Sequence, residues 1–276
     1  MKNQTLKKFT DLTIDELNIE IGLTAPNGTD YQQRSHRHQQ LLDYYTTVKA
    51  LMKKLSTKRT LYFYDCGCGR GYLSFYLNYL LKRDGYQNIH FICIDWNAKL
   101  ITRNQEVIEK LNINNMTFVS ANIFDYKFEN TPDILYSLHA CDTATDMMIY
   151  KGISENARHI LSVSCCQHEM RRQLKSGLMG TITRHKPYKE RLTDMIADSL
   201  RTLLLEIVGY KVTVFEFTST TYTDKNVMLK CEKVGTTPIK IEIAQNEYHE
   251  LSQLFEMNPK LEEYLKCHAH PSRLIR

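Results

Sequence analysis

Asp65, Gly67, Gly69 and Gly71 sit at alternate positions between two apolar runs, Leu61 to Tyr64 and Tyr72 to Leu81. A strand that ends in an acid, then a glycine turn and a helix, makes a nucleotide-cradling element. Glycines let a ligand approach the backbone closely, and the first helical turn offers free N–H groups. The carboxylate of Asp65 selects among ligands. It would repel a pyrophosphate and attract a cationic amino-acid end, which favours S-adenosylmethionine over NAD and so implies methyl transfer. A lone glycine turn also occurs as a plain turn in α/β proteins, so the following strand carries weight. Ile89 to Ile94 is a buried-strand run ending at Asp95, 24 residues after Gly71. In a βαβ unit that position lies beside the first loop, where a carboxylate accepts both ribose hydroxyls. Trp96, the single tryptophan, offers a face for adenine or a cap on the core. Asn122, after a third strand from Met116 to Ser120, reaches the adenine edge or serves as an ordinary turn residue.

A second set of reactive side chains follows the next two strands. The fourth strand, Asp133 to Leu138, leads into His139, Cys141 and Asp142; the fifth, His159 to Ser164, leads into Cys165, Cys166 and His168. Ligands of open α/β sheets bind beyond the carboxyl ends of the strands. If the first, fourth and fifth strands are neighbours, their loops converge. His139, Asp142 and His168 then position or deprotonate an acceptor hydroxyl. The alternative for His139 and Asp142 is a cap network at the start of the next helix. Cys165 is the candidate nucleophile if the acceptor is a pyrimidine carbon. Cysteine and histidine also bind zinc or iron. Adjacent cysteines chelate poorly, however, and the chain has no Cys-x-x-Cys pair, so the expectation is no metal.

The loops LHACDTATD and SCCQH resemble those of a branch of class I S-adenosylmethionine-dependent methyltransferases. In that branch the fourth strand ends in His-x-Cys-x-x-Ala-Thr-Asp and the fifth in Cys-Cys-x-His. It includes the eukaryotic tRNA acceptor-stem 2′-O-ribose methyltransferase and methyltransferase-like proteins of animals and bacteria. The segment Thr221 to Met228 is similar to a His-Thr-x-Lys-Asn-x-Met turn of some relatives, with Tyr222 where they carry histidine. The resemblance covers residues 60–170 well and 215–232 loosely. It implies a Rossmann-like seven-stranded sheet, mostly parallel with an antiparallel end, and S-adenosylmethionine as cofactor.

The elements needed to position these residues are present in the pattern. Strand and helix periodicities alternate from residue 60 to about 165, as in a parallel α/β sheet with crossover helices. Lys211 to Phe217 and Asn226 to Glu232 read as an antiparallel pair after a long helix, Tyr188 to Val208. Residues 1–58 form an N-terminal helical segment, with a turn at Ala25 to Gly28. Residues 59–234 form the methyltransferase domain. Residues 235–276 form a small C-terminal appendage, in which Ile239 to Leu265 reads as a strand and then a helix.

The bulk composition narrows the class. A hydrophobic content of 42% supports a normal core, no run reaches a membrane span, and MKNQTLKKFTDL lacks a signal-peptide core. The expected location is the cytoplasm, with the eight cysteines as thiols. The net charge of +5 is uneven: Tyr31 to Arg59 holds seven Lys/Arg against one acid, and Glu169 to Arg191 seven against two. Clustered cations suit a polyanion, so RNA is the expected partner, held in part by Arg171, Arg172 and Lys175. Solvated helix faces are the plainer reading of the same charges. No membrane and no obligate protein partner are expected. A protein or small-molecule acceptor, or a non-catalytic cofactor-binding scaffold, are the alternatives.

Overall fold

A computed structural model describes residues 8–24, 31–174 and 179–268, with the side chains of residues 31–34 and 268 outside that description. The expected turn at Ala25 to Gly28 and Lys175 lie outside the described residues.

Two compact units emerge. The first comprises residues 1–130 and 216–226, the second residues 131–215 and 227–276. The first unit contains α1 (Ile14–Glu20), α2 (Tyr31–Met52), β1 (Leu61–Cys66), α3 (Tyr72–Arg83), β2 (Ile89–Asp95), α4 (Ala98–Lys110) and β3 (Met116–Ser120). β1 pairs with β2 and β2 with β3, both parallel, in a register that sets Asp65 opposite Cys93 and Asp95 opposite Ser120. β1 and β2 are buried along nearly their whole length, as strands covered on both faces must be. α3 buries eight of its twelve residues, including Phe75, Tyr76 and Leu77, and is a core helix. Thr13 caps α1 in a reciprocal capping box with Glu16. The loop 216–226 lies against α2: Thr218 donates to Asp43 at 2.5 Å, Gln40 donates to the Tyr222 carbonyl at 3.0 Å, and the Tyr222 ring meets His36 edge-on.

The second unit contains β4 (Ile134–Ala140), α5 (Thr143–Ser154), β5 (His159–Ser164), α6 (His168–Gln173), α7 (Gly180–Thr183), α8 (Lys186–Ile207), β6 (Tyr210–Glu216), β7 (Val227–Lys233), α9 (Pro238–Phe255) and α10 (Lys260–His268). β4 and β5 pair in parallel with a register shift between Leu138 and Ala140, and β5 and β7 pair antiparallel. The seven strands run in the order β3-β2-β1-β4-β5-β7-β6, so the expected mostly parallel sheet with an antiparallel end is present. Among the described residues, no helix is long and apolar enough to cross a membrane.

One expectation is corrected. Residues 239–265 hold two helices and no strand. Ile239, Ile241 and Ile243 alternate as a strand would, but Thr237 caps the helix by accepting from the Lys240 N–H, and Pro238 sits in its first turn. Ile239 and Ile243 are exposed, and the buried helix face carries Ala244 and Tyr248 instead.

Candidate active site

The predicted residues fall into two groups, one in each unit. In the first unit, the turn after β1 is pinned to the end of β2. Gly67 and Cys68 N–H groups donate to the Ile94 carbonyl at 2.8 and 3.1 Å. The Gly69 N–H donates to Asp95 Oδ2 at 2.8 Å, and the Asn97 N–H donates to Asp95 Oδ1 at 2.9 Å. Asn104, fully buried on α4, donates to the Gly69 carbonyl at 2.9 Å. The backbone of the turn is left-handed at Gly67, Gly69 and Gly71. A side chain at Gly71 would meet the Phe118 ring at 2.9 Å, whereas one at Gly67 or Gly69 would meet no protein atom within 4 Å. The first glycine to be explained by packing is therefore Gly71. Gly67 and Gly69 leave their backbone open to a ligand.

These residues fit S-adenosylmethionine. Asp95 is buried, and its two backbone bonds leave further acceptor sites on a carboxylate that has about four. Trp96 is 83% exposed, which excludes the reading of a core cap and leaves its ring face open beside Asp95. Asp65 is 2% exposed and accepts from the Ser74 hydroxyl at 2.5 Å. Its carboxyl is raised to about 7, chiefly by burial, with the Ser74 bond opposing the rise and the Asp95 charge adding to it. A cation brought to this carboxylate would relieve that penalty. Asn122 is exposed, and its Oδ1 accepts from the Phe124 N–H at 2.9 Å, an Asx turn. Asn104 and Ser74 were not singled out in the sequence: each sits inside a helix, where nothing in its spacing sets it apart.

In the second unit, the loops after β4 and β5 are laced together. The Asp142 N–H donates to the Cys166 carbonyl at 3.1 Å, and Asp142 Oδ1 accepts from the Glu169 N–H at 2.9 Å. Asp142 stands at the start of α5, as expected of a cap, but its side chain makes no cap bond there and holds the start of α6 instead. Its backbone, with φ 55° and ψ −123°, and that of His139, with φ 64°, are both unusual for side-chain-bearing residues. Such strain is of order 1–3 kcal/mol per residue and persists only where the surroundings over-determine it. The Cys165 and Cys141 thiols both donate to the His139 carbonyl, at 3.5 and 3.8 Å. Cys141 Sγ lies 3.2 Å from Cys165 Sγ, which lies 3.6 Å from Cys166 Sγ. Burial and then the neighbouring thiols push Cys165 well above the usual thiol range, and Cys166 is also raised. A raised thiol is a weaker nucleophile at neutral pH than a free one. His168 is exposed at the start of α6.

Behind these loops lies a buried polar network that sequence reasoning missed. Arg201, 1% exposed on α8, makes a two-pronged pair with Asp146 at 2.8 and 2.9 Å. Its Nη1 donates to Gln167 Oε1 at 2.9 Å and to Asp198 at 3.3 Å, and Ser164 donates to Asp198 at 3.1 Å. Burial opposes the charge of Arg201, but Asp146 and Asp198 outweigh it and keep the guanidinium protonated. The signal for Asp146 was available as the last residue of the LHACDTATD run; Arg201, some 55 residues on, gave none. Of the proposed substrate cations, Arg171 is paired with Glu190 at 2.9 Å and Arg172 is exposed.

Comparison with known proteins identifies the family and similar folds. A family model described as a methyltransferase domain matches residues 36–173. No curated protein matches the chain. Solved structures are similar in fold. A protein of Listeria monocytogenes described as a class I S-adenosylmethionine-dependent methyltransferase is 12% identical, with a TM-score of 0.51, over 83% of this chain and 71% of that one. A SAM-dependent methyltransferase from Aquifex aeolicus is 19% identical, with a TM-score of 0.41, over 67% and 89%. Magnesium protoporphyrin IX methyltransferase of Synechocystis PCC 6803, solved with bound SAM, is 13% identical, with a TM-score of 0.45, over 84% and 100%. With half of its length matched by the family model and the sheet and glycine turn in place, the chain belongs to the methyltransferase-domain family and is an S-adenosylmethionine-dependent methyltransferase.

Proposed function

We propose that the acceptor is RNA, with a ribose hydroxyl of tRNA as the methylated group. The observation that carries this reading is the stretch that follows β5. Arg172, Arg184, Lys186 and Arg191 are exposed there, together with Tyr188 at 57%. Exposed cations interleaved with an aromatic ring suit phosphates and a stacked base. The LHACDTATD and SCCQH loops support the same reading through their resemblance to those of the tRNA ribose methyltransferase branch.

The bound cofactor supplies a methyl group made electrophilic by its sulfonium. In this reading Asp65 holds the cofactor's ammonium, Asp95 its ribose, Trp96 and Asn122 its adenine, Gly67 and Gly69 open the backbone to it, and Gly71 lets the turn pack on Phe118. Asp142 acts by position, because one of its oxygens is committed to the Glu169 N–H. His139 and His168 are the groups offered to the hydroxyl proton. Alignment of acceptor and methyl then provides most of the acceleration.

The test is RNA affinity as a function of salt, in the parent and in a variant with Arg171, Arg172 and Lys175 replaced by Ala. Each lost duplex phosphate contact flattens the logarithmic slope by about 0.9. Arg171 is already paired with Glu190, so the expected change is nearer two contacts than three, about 1.8. S-adenosylhomocysteine affinity should stay the same. An unchanged slope, or no RNA binding by the parent at low salt, would point to a protein or small-molecule acceptor.

A further inference from the structure

We propose that Cys141, Cys165 and Cys166 form a binding site for one thiophilic metal ion of the zinc class, with three sulfur ligands and a fourth position open to solvent. The adjacency of Cys165 and Cys166 argues against chelation when only the sequence is considered. The fold adds the missing member. Cys141 comes from the loop after β4, and all three Sγ atoms lie within 4.8 Å of one another.

The spacing suits an ion. Tetrahedral coordination at a zinc–sulfur bond of roughly 2.3 Å separates the sulfurs by roughly 3.8 Å. The adjacent pair already stands at 3.6 Å and the Cys141–Cys165 pair at 3.2 Å. The Cys141–Cys166 pair lies within 4.8 Å, so side-chain movements of up to about one ångström admit the ion, within the reach of rotamer adjustment. The loops that carry the thiols are fixed independently of any ion, by the two bonds of Asp142 to Cys166 and Glu169 and by the Arg201 bond to Gln167. A site held in place by surrounding hydrogen bonds needs less ordering when the ion binds. The ligand set is soft, which favours zinc-class ions over magnesium or calcium. Among the described residues, no imidazole or carboxylate joins the three sulfurs. Cys141 is exposed, so the fourth ligand is water or an exogenous group. On binding, three S–H protons pass to solvent as three sulfur–metal bonds form.

The proposal does not depend on the acceptor being RNA. The experiment is titration of the reduced, metal-stripped full chain with Co²⁺ and Cd²⁺, reading sulfur-to-metal charge-transfer absorption, followed by displacement with Zn²⁺ and elemental analysis. One ion per chain is expected. The absorption should be lost in Cys141→Ser and in Cys166→Ser, and kept in Cys267→Ser, whose thiol is exposed and outside the cluster. S-adenosylhomocysteine binding by calorimetry checks that each variant is folded. If Cys141→Ser fails to fold, Cys141→Ala and alkylation protection by Cd²⁺, mapped by mass spectrometry, replace it. Absorption that survives in folded Cys141 variants would overturn the site. So would a reduced parent that takes up no ion, whether or not air oxidation joins Cys141 to Cys165.

Discussion

Replacing Asp65 by Asn should have opposite effects on stability and on cofactor affinity. Asp65 is nearly inaccessible, and its carboxyl is held at about 7 against an ordinary 3.8. The native protein therefore keeps it protonated below about pH 7, while the unfolded chain ionises it from 3.8 upward. Its stability contribution is whole below 3.8 and is lost as the pH rises through about 7. The difference of 3.2 between 7 and 3.8, at about 1.36 kcal/mol per unit, amounts to about 4 kcal/mol above neutrality. Asn keeps an oxygen for the Ser74 hydroxyl and cannot ionise. The ligand-free variant should thus match the parent near pH 4 and exceed it by up to about 4 kcal/mol at pH 8 in denaturant melts. Cofactor binding should move the other way. If an ammonium draws the Asp65 proton off, affinity of the parent for S-adenosylhomocysteine falls about tenfold between pH 8 and pH 6, from a free carboxyl at about 7. The variant should show no such dependence and should bind about ten- to a hundredfold more weakly at pH 8. Parallel stability profiles for parent and variant across this range would refute the argument that burial holds Asp65 neutral. A variant that binds the cofactor as tightly as the parent would refute its assignment to the ammonium.

Three other outcomes are expected. Arg201→Met leaves the buried Asp146 carboxylate and the part-buried Asp198 without their cation and should cost about 3–5 kcal/mol in denaturant unfolding; adding Asp146→Leu should recover much of it. Gly71→Ala combines a φ of 69° with a 2.9 Å approach to Phe118, and should lower stability by about 2–3 kcal/mol. His139→Ala and Asp142→Ala should lower turnover more than they weaken S-adenosylhomocysteine in calorimetry; equal losses in both would make them supports of the fold alone.

The glycine turn and its two acids were the most legible part of the candidate site because their pattern is local. An acid, three glycines and a second acid at a βαβ distance lie in one continuous stretch, and β1 and β2 place them as the pattern implied. The strands were legible for a related reason: β1, β2 and β5 are nearly continuous apolar runs between turn residues. What escaped was long-range or masked by local likeness. The Arg201–Asp146 pair spans 55 positions, and neither partner announces the other. In the sequence Cys141 is only one member of a motif, and the register of β4 on β5 brings it to Cys165. The isoleucines of α9 alternate like a strand, yet the Thr237–Pro238 start outweighs them. Asp142 was correctly placed at a helix start, but the helix its carboxylate caps is α6, 27 residues further on.

Methyl transfer to RNA, as proposed above, is read out in one step by the fate of a labelled methyl group. The purified chain is incubated with methyl-labelled S-adenosylmethionine and, separately, with fractionated RNA, protein and metabolites from cells. Label is expected in the tRNA fraction, recovered after nuclease digestion as a 2′-O-methylated nucleoside and lost in Asp95→Ala. Label confined to protein or metabolites, or none in any fraction while S-adenosylhomocysteine still binds, would contradict transfer to RNA.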